Sequence, residues 1–446
     1  MVRRGSPTAV PINVRDMSTF KFLIAGTAAV GVACGSSNNG NNGGNGADAS
    51  QGSGGTDGGN TQQDGGSTQH DAPVQTAANA ISLTSVTDMA GDDGFAYLAP
   101  VTIGGSQSFL LDLDTGSTTL GVAGSTCSKC GSGVTKYTPD GTATALGTTA
   151  NAEYGAGSWT GANYSDSVSL MGDSHGATTM DFSVMTTQKG FLTGGGMDGI
   201  IGFGPSGAAL TGTDSFVAKR PATTFAFQLC PNGGTLWLDG YDSSHTASAP
   251  QYAALTVGDT YYTMNVSGMS VNGTSVAITG AAVPDSGTTQ IIASSTTGVS
   301  ALQSAITGSS GYQSIFGSQD ITGSLNAGSY TRAQIDAALP PLMVTLAAPG
   351  GGSVTIQSPA TQSYLFLEGG AYTFSVAADS SLSSGTGGEV SIILGDAFLH
   401  EFVSIYDLAN NQIGFAPQSG CDLPPVATPA KKTGAPNWWR NGHPTR

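Results

Sequence analysis

The chain has 446 residues, of which only 10% are charged, against roughly 25% in an average globular protein, while glycine alone supplies 67. With 30 acidic and 14 basic residues the net charge is −16, the wrong sign for coating a phosphate backbone, so nucleic acid is excluded as a partner. Glycine keeps no three-residue period, which excludes collagen, and a Gly-, Ser- and Thr-rich chain this poor in charge is expected to be all-β, built from short strands and turns.

Residues 1–34 read as an export signal. Lys21 precedes the apolar run from Phe22 to Ala33, far short of the ~20 residues needed to span a bilayer. Met17 is an alternative start, since residues 17–33 alone make a complete signal. Gly31-Val32-Ala33-Cys34 places a cysteine after small residues, similar to the lipobox of bacterial lipoproteins, although Gly31 stands where a larger aliphatic residue is usual. Cys34 is the expected lipidation site, with ordinary signal cleavage nearby as the alternative. The protein is therefore expected to be exported from a bacterial cell, as a cell-envelope lipoprotein or a secreted form, touching membrane only through that anchor. Residues 35–79 form a Gly/Asn/Ser-rich stretch, and from Gly35 to His70 there is no Leu, Ile, Val, Met or aromatic residue. Such a segment cannot bury enough apolar area to offset chain entropy and is expected to be a flexible tether.

The block from 80 to 421 carries 24 acidic and 6 basic side chains, a surface that repels itself at neutral pH and relaxes as carboxylates protonate. It contains a repeat. Phe109-Leu-Leu-Asp-Leu-Asp-Thr-Gly-Ser-Thr118 is an alternating apolar run ending in Asp114-Thr115-Gly116-Ser117, and Ala281-Ala-Val-Pro-Asp-Ser-Gly-Thr-Thr289 presents Asp285-Ser286-Gly287-Thr288 in the same setting. Each is followed by an apolar-apolar-Gly element, Ile200-Ile201-Gly202 in the first half and Ile393-Leu394-Gly395 in the second. Two related lobes follow, 80–248 and 249–421.

From about Phe95 to Cys421 the chain resembles the pepsin-like aspartic peptidases. Four motifs stand in that family's order: Asp-Thr-Gly-Ser, a flap at Glu153-Tyr-Gly-Ala-Gly-Ser158, Asp-Ser-Gly-Thr-Thr, and Ile393-Leu-Gly-Asp-Ala-Phe-Leu399 leading into Tyr406 to Phe415. The resemblance implies a bilobal fold whose cleft binds an extended peptide or protein substrate, with Asp114 and Asp285 as the catalytic pair. Two carboxylates about 3 Å apart cannot both ionise, so they share a proton, one serving as base on a water and the other as acid toward the carbonyl oxygen. Gly116 and Gly287 would let the two loops approach, since a Cβ there would crowd the opposite backbone. The Thr115 and Ser286 hydroxyls are expected to bond across to the partner loop, and those of Ser117 and Thr288 to hold the outer carboxylate oxygens.

Tyr154 and Gly155 fall at the tip of the implied flap. Most pepsins hold that tyrosine with a Trp seven residues after the first catalytic Asp, but here that position is Gly121. Trp159, on the returning flap strand, is the expected substitute, as in the β-secretase-like branch, donating its indole N–H to the Tyr154 hydroxyl; plain hairpin packing is the alternative. Phe191 lies seven residues before Asp198, like the family residue beside the side chain preceding the scissile bond. With Ile200 and Tyr154 it would make an apolar pocket preferring Leu, Phe or Met, core packing being the competing role.

Cys127 and Cys130 stand where pepsins carry a short-loop disulfide, and Cys230 and Cys421 match positions bridged in the β-secretase-like branch. Those pairings would use all four, leaving Cys34 apart, while a redox-active Cys-x-x-Cys or half a zinc site is the alternative for the first two. Gly172-Asp-Ser-His-Gly176 matches Gly-x-Ser-x-Gly, but a returning strand rather than a helix is expected after Ser174, which makes it a hairpin turn. Gly202 to Gly207 matches Gly-x-Gly-x-x-Gly without the acidic residue or βαβ setting of a nucleotide site. No HExxH, Walker or EF-hand motif occurs, so neither cofactor nor metal is expected. Residues 422–446 form a Pro-rich basic tail. No Lys or Arg lies between Lys21 and Lys129, so the basic prosegment of many secreted relatives is missing. The enzyme is expected to act as a monomer without proteolytic maturation, limited by pH instead.

Overall fold

The structure is a computed structural model that describes residues 79–421, apart from 90–91, 156, 193–195, 206–210, 221 and 369. The export signal, Cys34, the tether to residue 78 and the tail 422–446 lie outside the described residues. The described chain is mostly strand, in a sheet of thirteen strands, a second of nine and a short two-stranded ribbon.

The sequence repeat is a repeat of strand pairing. Strand Gln107–Asp114 lies parallel to Gly199–Gly202, with Asp114 opposite Gly202, and Gly199–Gly202 is antiparallel to Leu120–Ala123 on its other edge. In the second half, strand Gly280–Pro284 lies parallel to Ile392–Leu394, which is antiparallel to Ile291–Ala293. Each Asp-containing loop thus leaves one strand and returns as another, with the apolar-apolar-Gly strand inserted between them. That inserted strand is buried along its whole length in both halves, which is why it reads as continuous Ile and Leu rather than as alternation. The closing glycines are required by contact: a Cβ on Gly202 would sit 2.5 Å from the Thr119 nitrogen, and one on Gly395 would strike the Thr288 carbonyl.

The halves interlock. Strand Phe402–Asp407 pairs with Thr224–Cys230, and Gln412–Pro417 pairs with both Phe402–Asp407 and Gln251–Ala254. One hydrophobic core runs through both halves, and a second cluster in the first half gathers Tyr154, Trp159, Phe191, Ile200 and the Cys127 and Cys130 side chains. Disulfides join Cys127 to Cys130 and Cys230 to Cys421, the latter fastening the last described residue to the interlocking sheet.

The mostly-β fold also carries helices, the longest among the described residues being Thr296–Thr307. Its N-cap Ser295 accepts from the Gly298 N–H, and Val299, Leu302 and Ile306 bury one face, a helical spacing. Gly172 to Gly176 is the hairpin turn expected, between strands Gly157–Leu170 and Thr178–Lys189.

Candidate active site

The two Asp-Thr/Ser-Gly loops meet and exchange hydrogen bonds reciprocally. The Thr115 hydroxyl donates to the Pro284 carbonyl at 2.9 Å and accepts from the Ser286 N–H at 3.0 Å; the Ser286 hydroxyl donates to the Leu113 carbonyl at 2.6 Å and accepts from the Thr115 N–H at 3.2 Å. Each hydroxyl satisfies the opposite backbone, so neither loop can shift without orphaning buried groups. Tyr406 adds a third strut, its hydroxyl donating to the Pro284 carbonyl at 2.8 Å.

Asp114 and Asp285 come together at the centre of this lock, both buried. The Gly116 N–H donates to Asp114 Oδ1 at 2.7 Å and the Gly287 N–H to Asp285 Oδ1 at 2.9 Å. The obstacle that makes these glycines necessary differs from the one expected. A Cβ on Gly116 would lie within 2.6 Å of the Asp285 carboxyl atoms, and one on Gly287 would lie 2.6 Å from Asp114 Oδ1. The partner carboxylate, rather than the opposite backbone, occupies the space. Thr288 holds the outer oxygen of Asp285 at 2.6 Å as expected. Ser117 faces Asp114 and its hydroxyl lowers that carboxyl's pKa as a hydrogen-bond donor, in looser geometry than Thr288 has on Asp285.

Burial raises both carboxyl pKa values, that of Asp114 well above the usual range, with the Asp285 charge adding to it. Hydrogen bonds from Thr288 and Gly287 pull Asp285 back down. Two buried carboxyls in such contact hold one proton between them.

Two further carboxyls surround the pair. Asp112, two residues before Asp114 and on the same face of its strand, is buried with Oδ1 unpartnered; burial and the Asp285 charge push its pKa up to about 8. Asp396 is fully buried with neither carboxylate oxygen hydrogen-bonded. Burial, then the charges of Asp112 and Asp285, raise it well above the usual range. Its backbone N–H donates to the Thr288 carbonyl at 2.8 Å, which seats it against the second loop. Nearby, the Tyr97 hydroxyl and His400 Nε2 are 2.7 Å apart, and burial lowers the His400 pKa to about 3, so this histidine supplies no compensating charge. Sequence reading missed Asp112 and Asp396, although the alternation in Leu111-Asp112-Leu113-Asp114 signals the first.

The flap is the hairpin of strands Thr144–Tyr154 and Gly157–Leu170, with Gly155 exposed at its turn. Gly157 is a packing glycine, since its Cβ would meet the Phe191 nitrogen at 2.8 Å. Trp159 packs where the small residue at 121 leaves room, its Cζ2 only 2.9 Å from where a Gly121 Cβ would be. The Trp159 indole stands beside the Tyr154 hydroxyl and acts on it as a hydrogen-bond donor, although the two buried atoms fall short of strict hydrogen-bond geometry. They belong to a polar row with Ser117, Thr119 and Asp114, which face the same phenol. Tyr154 stacks on Phe191 with ring centroids 5.0 Å apart, and Ile200 packs in the same cluster. All three are buried, so in this conformation the expected pocket is closed on itself. A small apolar hollow lies beside the dyad, lined by Tyr261, Val283, Val390 and Ile393 next to Gly116 and Asp285; of these four, Tyr261 and Val390 were not singled out from sequence.

Ser174 takes no part. Its neighbour Asp173 is bound to Arg220 at 2.8 and 2.9 Å, Arg220 also holds Asp239, and the Ser174 N–H donates to Asn79. Among the described residues no group of three or more His, Cys, Asp or Glu is placed to hold a metal ion.

Two homologous loops locked by reciprocal hydroxyls, presenting two buried carboxyls beneath a tyrosine-tipped hairpin, define an aspartic peptidase. The sequence model of the family described as eukaryotic aspartyl protease matches residues 96–418, and the chain belongs to that family. It is 33% identical over 347 residues to an aspartic protease of Phaffia rhodozyma, covering 76% of this chain and 79% of that one. It is 30% identical over 342 residues to pepsin-2B of Gadus morhua, covering 72% and 95%, and 27% identical over 337 residues to pepsin A of Bos taurus, covering 72% and 84%. With both aspartates intact, the protein is an aspartic-type endopeptidase acting on peptide or protein substrates.

Proposed function

We propose that this endopeptidase works in acid and cleaves extended peptides beside bulky apolar residues. Asp285 takes a proton from a water as that oxygen bonds to the scissile carbonyl carbon, while protonated Asp114 donates to the carbonyl oxygen. As the tetrahedral species collapses, the C–N bond breaks, the leaving nitrogen takes up the proton held by Asp285, and a hydroxyl of the tetrahedral carbon returns its proton to Asp114 as the carboxylic acid forms. The observation that carries this reading is the pair of buried carboxyls, Asp114 and Asp285, held together by the reciprocal hydroxyls of the two loops. The acidic surface of residues 80–421, which repels itself less as carboxylates protonate, favours an acidic working range. Cleavage of a peptide library at pH 3 to 6 tests it. Asp114→Asn and Asp285→Asn should each lose about 10³-fold in kcat while Ser174→Ala stays at the native rate; full activity in Asp114→Asn would overturn the dyad.

The same reading places the enzyme outside a bacterial cell as a monomer, tethered by residues 35–79 from a lipid on Cys34 or secreted, with lobes 80–248 and 249–421 and no maturation cleavage. The lipobox-like Cys34 and the apolar run before it support this. The Gly121–Trp159 exchange and the Cys230–Cys421 bridge favour a kinship with the β-secretase-like branch. Mass spectrometry of the mature N-terminus decides the anchor, and a full-length protein silent in acid until a segment is cut away would refute activity without maturation.

A further inference from the structure

Gln188 lies near the end of strand Thr178–Lys189, opposite Trp159 of the flap's return strand in the ladder. Its side chain is buried, only 7% exposed, and its amide is fully used. Nε2 donates to the Lys129 carbonyl at 2.5 Å and the Leu192 carbonyl at 2.9 Å, while Oε1 accepts from the Phe191 N–H at 2.8 Å and the Leu192 N–H at 3.0 Å. Two donors and two acceptor sites are all that a glutamine amide has, and the pattern fixes which way round it sits. The bonds join segments that share no ladder with one another. Lys129 lies inside the ring closed by Cys127 and Cys130, and Phe191 and Leu192 begin the loop toward Asp198. Phe191 in turn stacks on Tyr154, and that phenol faces Asp114.

We propose that Gln188 is a positioning residue for substrate selectivity: by clamping the backbone of Phe191 and Leu192 to the disulfide loop, it holds the Phe191 ring at the height that sets the pocket for the side chain before the scissile bond. The inference rests on the reading of Phe191 as a pocket residue. A buried amide that merely stabilised the fold would affect all substrates alike, whereas a clamp on Phe191 affects those whose side chain reaches that ring.

The test uses the full-length enzyme and two peptides that differ only in Phe or Ala before the scissile bond. Gln188→Met keeps the length and loses every hydrogen bond; should it fail to fold, Gln188→Asn, with the amide one methylene short, makes the same comparison. The Phe-over-Ala ratio of kcat/KM is expected to fall about tenfold through the KM of the Phe peptide, the scale of one mis-sized apolar contact, with kcat for the Ala peptide within about twofold of native. Phe191→Ala should lower the same ratio, and Phe191→Ala/Gln188→Met should lower it no further. If Phe191→Ala lowers the ratio and the Gln188 variants leave it unchanged, or slow both peptides equally, the role assigned to Gln188 is wrong. If Phe191→Ala itself leaves the ratio unchanged, the pocket reading fails, and the inference fails with it.

Discussion

At the scale of single residues, the site depends on what is missing as much as on what is present. Gly116 and Gly287 each lie under the opposite carboxyl, so Gly287→Ala must push Asp114 aside by a large fraction of an ångström. Displacements of that order cost about 10²-fold in rate, and kcat for Gly287→Ala is expected to fall by that amount while near-UV circular dichroism stays native. The hydroxyls of the lock act differently, because they hold backbone groups rather than carboxyls. Ser286→Ala orphans the Thr115 N–H and the Leu113 carbonyl, both buried, and should lower unfolding free energy by about 1–3 kcal/mol, read from urea denaturation. Asp114, Asp285 and their Thr, Ser and Gly neighbours were legible in sequence because a repeated motif carries them. The roles of Asp396 and Tyr406, though both stand in quoted motifs, were not.

At the scale of elements, the flap shows one side chain position exchanged for another. Gly121 on strand Leu120–Ala123 and Trp159 on strand Gly157–Leu170 compete for the same volume, and sequence reading recovered the exchange from the absence of a Trp at 121. The expected Trp159–Tyr154 pairing appears as an indole facing the phenol, in looser geometry than sequence can specify. The competition predicts that Gly121→Ala costs about 1–3 kcal/mol by overpacking. Gly121→Ala/Trp159→Phe should recover most of that loss; additive losses in thermal melts would mean the two positions do not share the space. The helix Thr296–Thr307 was hidden for a related reason. Its composition of Thr, Ser, Gly and Ala matches that of the surrounding turns, and only the spacing of Val299, Leu302 and Ile306 with the Ser295 cap gives it away.

At the scale of the whole molecule, charge and burial set a pH window. Asp112 has a folded pKa raised from 3.8 to about 8, so the stability it contributes is complete below about 3.8 and is lost as pH rises through about 8. Glu401, raised by burial to about 7, acts in the same direction, as do Asp114, Asp285 and Asp396. Asp173 opposes them. Burial alone would raise it, but the bonds from Arg220 bring it below its usual value, so its contribution is lost as pH falls through that lowered pKa. Tm is therefore expected to peak in mild acid and decline toward neutrality. Asp112→Asn should melt as the native protein does at pH 4 yet at least about 3 °C above it at pH 8, and a loss of Tm at both values would contradict the assignment. The interlocked sheet also imposes an order in time. Strand Thr224–Cys230 gains its partner Phe402–Asp407 from about 175 residues further along the chain, an interval of roughly 10–35 s at ordinary rates of synthesis. Throughout it, an edge rich in Phe225, Phe227 and Leu229 has no ladder on one side and is open to pairing with a neighbouring nascent chain. A chain released before Phe402 keeps that open edge permanently, so the last strands to be made decide when the first half is safe from aggregation.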